Sequence, residues 1–133
     1  MQQTVTDLTR VISTEEGLLV LSKTVRNVTS SGAATTSNQA LPGDTLSYNI
    51  VFSNTGGGAI SELLISDHTP AYSALAQPVT CPAALPDGIT NCTVVAPTAP
   101  DNTAGYSGDV QWSFDGTLSA GASGELGYQV SIE

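Results

Sequence analysis

The residues with the most chemical potential are few. His68 is the only histidine, and it sits in Asp67-His68-Thr69-Pro70. A Ser-His-Asp arrangement needs a nucleophile held in a shaped site, and the serines here carry no nucleophile-elbow motif. A turn or surface histidine is the expected role, with Asp67 accepting hydrogen bonds from turn amides. Cys81 and Cys92 bracket Cys-Pro-Ala-Ala-Leu-Pro-Asp-Gly-Ile-Thr-Asn-Cys. A zinc site needs more ligands than two cysteines and one histidine supply. A disulfide closing this short loop would stabilise the fold by about 3 kcal/mol and implies an oxidising compartment. Asp87, Asp101, Asp109 and Asp115 lie in turn-rich segments, but no spacing resembles a calcium loop. No catalytic residue, metal ligand or cofactor is assigned, and the expectation is a protein that is not an enzyme.

Lys23 carries a sharper expectation. It shares strand parity with Leu19, Leu21 and Val25, so its amine projects toward the core side. Some surface sandwiches join such a lysine to Asp or Asn through an isopeptide bond, assisted by a buried carboxylate; Asp67 and Glu125 are the conceivable partners. The expected arrangement is plainer: a lysine at a strand end that buries its stem and keeps its ammonium in water.

The elements that must position these groups read as strands. In residues 45–53, Leu46, Tyr48, Ile50 and Phe52 alternate with Ser47, Asn49, Val51 and Ser53, a period of two with one face buried. Pro42-Gly43-Asp44 punctuates the start of this segment, and Asn54-Thr55-Gly56-Gly57-Gly58 its end. Residues 59–67 follow with Leu63 and Ile65 in phase, close enough to form a hairpin with 45–53. Residues 18–26 form an earlier strand whose continuous apolar start suggests cover on both faces. Val110, Trp112 and Phe114 share one face of 109–114. Leu126, Tyr128, Val130 and Ile132 share one face of 125–132. Weaker strands are expected near 72–80 and 91–96, where the prolines argue for edges and loops. No segment combines capping signals with helical spacing. The fold class is all-β: an immunoglobulin-like sandwich of about seven strands over residues 17–133, plus an N-terminal extended strand.

The bulk numbers narrow the function. The 133 residues suit one core, and charged residues are only 11%. Net charge is −9, with Arg10, Lys23 and Arg26 the only basic side chains. Nucleic-acid binding needs clustered Lys and Arg, so it is excluded, and adsorption to an anionic membrane is disfavoured. No stretch reaches the length of a membrane span. Residues 1–16 carry no basic start and apolar run, so the expected export leader is not among them. Asn27-Val28-Thr29 and Asn91-Cys92-Thr93 are glycosylation sequons that matter only in a suitable host.

Several short motifs, in order, resemble a known family. Leu21-Ser-Lys-Thr-Val25, Leu41-Pro-Gly-Asp-Thr-Leu-Ser-Tyr48, Phe52-Ser-Asn-Thr-Gly56 and Leu64-Ile-Ser-Asp-His-Thr-Pro70 look like the bacterial and archaeal cell-surface repeat known as domain of unknown function 11. The ending, Val110-Gln-Trp-Ser-Phe114 through Ala120-Gly-Ala-Ser-Gly124, is similar to that family's closing strands. The resemblance spans roughly residues 18–133. It implies an immunoglobulin-like sandwich on a prokaryotic cell surface, usually in tandem, with no catalytic residues to carry over. This chain departs from the pattern in having a single copy and extra residues at its front.

Those extra residues, 1–16, form an extended arm rich in β-branched side chains, with Gly17 as a hinge. Burying Val5, Leu8, Val11 and Ile12 does not offset the entropy of ordering the arm, so its backbone must also pair with a sheet edge. The edge is either its own or a neighbour's; an inter-repeat linker is the third option. Donation to a neighbour is a head-to-tail contact that does not close, and it builds filaments. The single copy tilts the expectation toward a secreted, pilus-like structural subunit. In that reading it forms a homopolymer by donor-strand exchange, with Val5, Leu8, Val11 and Ile12 as the subunit contact. The alternative is a spacer or adhesive module of a larger cell-surface protein, with a surface or carbohydrate ligand. Only Tyr72 and Tyr106 are expected to lie free of the core strands, a thin supply of aromatics for sugar binding.

Overall fold

A computed structural model describes residues 9–13, 17–29 and 41–133. Among these described residues, eight strands run in order: β1 (Thr9–Ser13), β2 (Leu19–Asn27), β3 (Thr45–Asn54), β4 (Ile60–His68), β5 (Ser73–Leu75), β6 (Ile89–Ala96), β7 (Asp109–Leu118) and β8 (Ser123–Ile132). They form two four-stranded sheets, ordered β1-β4-β7-β6 and β2-β3-β8-β5, with every pairing antiparallel. This is an immunoglobulin-like β-sandwich: seven strands plus the N-terminal one.

Period-two patterning accounts for the core. Along β3 the buried residues are Leu46, Tyr48, Ile50, Phe52 and Asn54. Val110, Trp112, Phe114 and Leu118 of β7 and Leu126, Tyr128 and Val130 of β8 meet them from either sheet. Trp112 is fully buried, and its indole Nε1 donates to Thr80 O at 3.1 Å. β4 keeps phase only through a bulge between Ser61 and Leu64, where Glu62 adopts φ 55°; Ile60, Leu63, Ile65 and Asp67 all face inward.

Two sequence expectations fail. The segments 45–53 and 59–67 do not form a hairpin, because β3 and β4 lie in opposite sheets. Both edges of β3 are taken, by β2 and β8. Asn54 holds the crossing between sheets. Its buried amide donates to Gly58 O at 2.7 Å and Leu118 O at 3.0 Å, and its Oδ1 accepts from the Leu18 and Gly56 amides. Nor is the apolar start of β2 covered on both faces. β2 is an edge strand, and Leu18 and Val20 are exposed while Leu19 and Leu21 pack on the core.

β1 pairs with the free edge of β4, Thr9 opposite Ile65 and Ser13 opposite Ile60, with a register shift between Arg10 and Ile12. The arm therefore extends its own sheet. Val5 and Leu8 lie outside the described residues, and for Val11 and Ile12 the backbone pairing of β1 is what the structure describes.

Candidate functional site

Among the described residues, one charged cluster lies inside the sandwich, built across both sheets. Alternation along β2 turns Lys23 inward, and the phase of β4 beyond its bulge does the same for Asp67. The two side chains meet as an ion pair between Lys23 Nζ and Asp67 Oδ2, only 4% and 1% exposed. The lysine does not snorkel, because its strand position places the head between sheets rather than at a rim. Tyr48 of β3 and Tyr128 of β8 are register partners, and their rings stack with centroids 5.3 Å apart. Lys23 Nζ lies 4.7 Å from the Tyr48 centroid and 5.9 Å from that of Tyr128, within the range of a cation–π contact.

Asp67 is held on both oxygens. Oδ1 accepts from the His68 backbone N–H at 2.8 Å, and Oδ2 accepts from the Tyr128 hydroxyl at 2.8 Å. Lys23 Nζ, by contrast, has no well-directed hydrogen-bond acceptor. Loss of water around the buried ammonium pulls the Lys23 pKa below its ordinary value, an effect partly opposed by the neighbouring Asp67 carboxylate. Burial, then the nearby Asp67 charge, pushes the Tyr48 phenol up to about 12. Burial and Asp67 raise Tyr128 well above the usual phenol range. Both phenols are therefore protonated at neutral pH, and Tyr128 serves as a donor.

Glu125 does not belong to this cluster. Leu126 takes the inward position on β8, so Glu125 is exposed on the outer face opposite Val51. The sequence reading placed Lys23 and Asp67 but missed Tyr48 and Tyr128. Their hydroxyl-bearing rings on inward positions were the signal, and only their cross-strand register shows that they converge.

The remaining candidates are scattered. Cys81 and Cys92 are joined by a disulfide that ties the segment after β5 to β6. His68 is on an open rim, its Nδ1 3.8 Å from Asp109 Oδ1. Among the described residues, no group of three or more His, Cys, Asp or Glu is placed to hold a metal ion. Tyr72 is 82% exposed at a turn with φ 61°. Tyr106 packs against the core, and its hydroxyl donates to Asp109 O at 3.0 Å. Asn27, of the first sequon, is buried, with its side-chain amide donating to Asp44 Oδ2 at 3.0 Å. Among the described residues, no helix is long and apolar enough to cross a membrane.

No protein-family model matches the chain, and no curated protein does. Among solved structures, it is similar to the CBM3a-L domain with flanking linkers from the scaffoldin of the cellulosome of Clostridium thermocellum. The identity is 16% and the TM-score 0.34, over 85% of this chain and 68% of that one.

Proposed function

We propose that this chain is a non-catalytic spacer module of a larger cell-surface or secreted protein. The observation that carries the reading is strand direction. β2 and β8 lie on either side of β3 and are each antiparallel to it, so they run parallel to one another. Leu19 sits opposite Asn54, at the end where Ser53 faces Ser123. Ile132 sits at the other end, beside Asp44 and Ser73. Between Leu18 and Glu133 the chain thus crosses the sandwich from end to end. At about 3.3 Å per residue, a strand the length of β8 spans roughly 30 Å. With β1 docked, Thr9 lies beside Ile65; when tension peels β1 from β4, the chain enters at the Leu18 end and leaves at the other, and a module strung in this way adds length to a surface protein. The resemblance to a surface repeat and the disulfide of an oxidising compartment support the same reading.

The reading also predicts a mechanical response. Tension between residues 18 and 133 loads the β2–β3 and β3–β8 ladders in shear, so many hydrogen bonds bear it together. Tension between residues 18 and 55, which are neighbours through Thr55 N donating to Leu18 O at 2.9 Å, peels β2 from β3 one bond at a time. Single-molecule pulling of the two tethered forms should give a clearly higher unfolding force for the 18–133 geometry. Equal forces would remove the spacer reading.

A further inference from the structure

The Lys23 ammonium is the group that the spacer reading leaves unexplained. A buried ion pair repays its desolvation only with excellent geometry and further hydrogen bonds. Asp67 has those bonds, from His68 N–H and Tyr128 O–H, and Lys23 does not. The titratable groups facing the amine are Asp67, Tyr48 and Tyr128, and the two tyrosine rings close the site around it. An amine and a carboxyl group in contact, with almost no access to water, are poised for condensation.

We propose that Lys23 and Asp67 condense in the folded protein to an intramolecular isopeptide bond. The proton first passes within the pair, from the ammonium to the carboxylate, leaving a free amine and a carboxylic acid. The amine lone pair then attacks Cγ of Asp67 and forms the C–N bond. The C–O bond to Oδ2 breaks, and that oxygen leaves as water, taking the carboxyl proton and one amine proton. An ammonium and a carboxylate become an amide and one water, with charge and atoms balanced and no further reagent required.

The surroundings assign roles. The His68 N–H on Oδ1 faces the oxygen that becomes negative in the tetrahedral intermediate. The Tyr128 hydroxyl on Oδ2 is placed to relay a proton to the departing oxygen. Fixed contact supplies the proximity that makes such a step effectively unimolecular. Removing two buried charges favours the condensation, since a charge held away from water is costly. The product ties β2 of one sheet to β4 of the other, and this inference stands whether or not the module is a spacer.

A tryptic digest tests it. The sequence has three cleavage sites, after Arg10, Lys23 and Arg26. The full chain is folded, aged at neutral pH, then unfolded, reduced and digested. Condensation blocks cleavage at Lys23, so residues 11–26 stay covalently joined to 27–133, and the joined product is one water lighter than its parts. Aspartyl succinimide at Asp87-Gly88 or Asp115-Gly116 also removes one water, but it leaves 11–23 free. An Asp67→Asn chain that folds and condenses loses ammonia instead and gives the same joined mass. Complete release of residues 11–23 overturns the proposal. So does an equal yield of joined product from chain kept unfolded throughout.

Discussion

Tyr48 and Tyr128 set how the core responds to alkali. Each phenol has a folded pKa above its unfolded value near 10, through burial first and the Asp67 charge second. Above that pH the unfolded chain gives up these protons while the folded chain keeps them, so the folded state binds more protons and stability falls as pH rises. The contribution is fully present below about pH 10, and for Tyr48 it is lost as pH rises toward about 12. While Lys23 remains an amine the sign is opposite, because its folded pKa lies below the unfolded one. Its effect is a gain in stability that is complete by the unfolded lysine value of 10.5. The tyrosine loss therefore governs the upper range. Denaturant midpoints should not fall below about pH 10, where an uncondensed Lys23 adds a gain, and should fall above it, and Tyr48→Phe should flatten that fall. A midpoint that does not move up to about pH 12 would contradict this account of the cluster.

At the scale of elements, the segment between β5 and β6 has little regular structure of its own and is fixed from outside. Asn102 clamps Val79, accepting from its N–H at 2.7 Å and donating to its carbonyl at 2.9 Å. Trp112 grips Thr80, and the Cys81–Cys92 disulfide ties the segment to β6. With these other anchors in place, reduction should lower unfolding free energy by about 3 kcal/mol without abolishing the fold. Paired denaturant titrations with and without reductant measure this, and a change near zero would mean that the anchors alone suffice. The strands themselves were legible because alternation marks which side chains face inward, as in Leu46 to Phe52 and Val110 to Phe114. Alternation says nothing about which strand is the neighbour. The false hairpin between β3 and β4 came from that gap, since a short glycine-rich link serves a hairpin or a crossing equally well. The buried Asn54 decides for the crossing. Lys23 and Asp67 were legible by parity in the same way, whereas the convergence of Tyr48 with Tyr128 depends on register between strands eighty residues apart.

For the whole molecule, the question is whether this unit works alone or by pairing with copies of itself. An exposed sheet edge invites another strand, and the edge of β4 is covered by this chain's own β1. A second copy's arm could dock there only by displacing β1, and an intramolecular arm has the advantage of a high effective concentration. Electrostatics push the same way. The chain carries a net charge of −9, and one of its three basic side chains, Lys23, is sealed inside. Copies therefore meet with like-charged surfaces and little compensation, which favours separate molecules. Negative-stain electron microscopy of the purified chain should show isolated particles of one domain, and sedimentation should give a monomer at moderate salt. Regular fibres would reverse this conclusion. They would place the arm on a neighbour's β4, and deletion of residues 1–14 would then abolish the fibres while leaving a folded monomer. If the particles are monomeric, the same deletion exposes the β4 edge that β1 covers. The truncated protein should then associate more readily than the parent, because the strand that shielded the edge is gone.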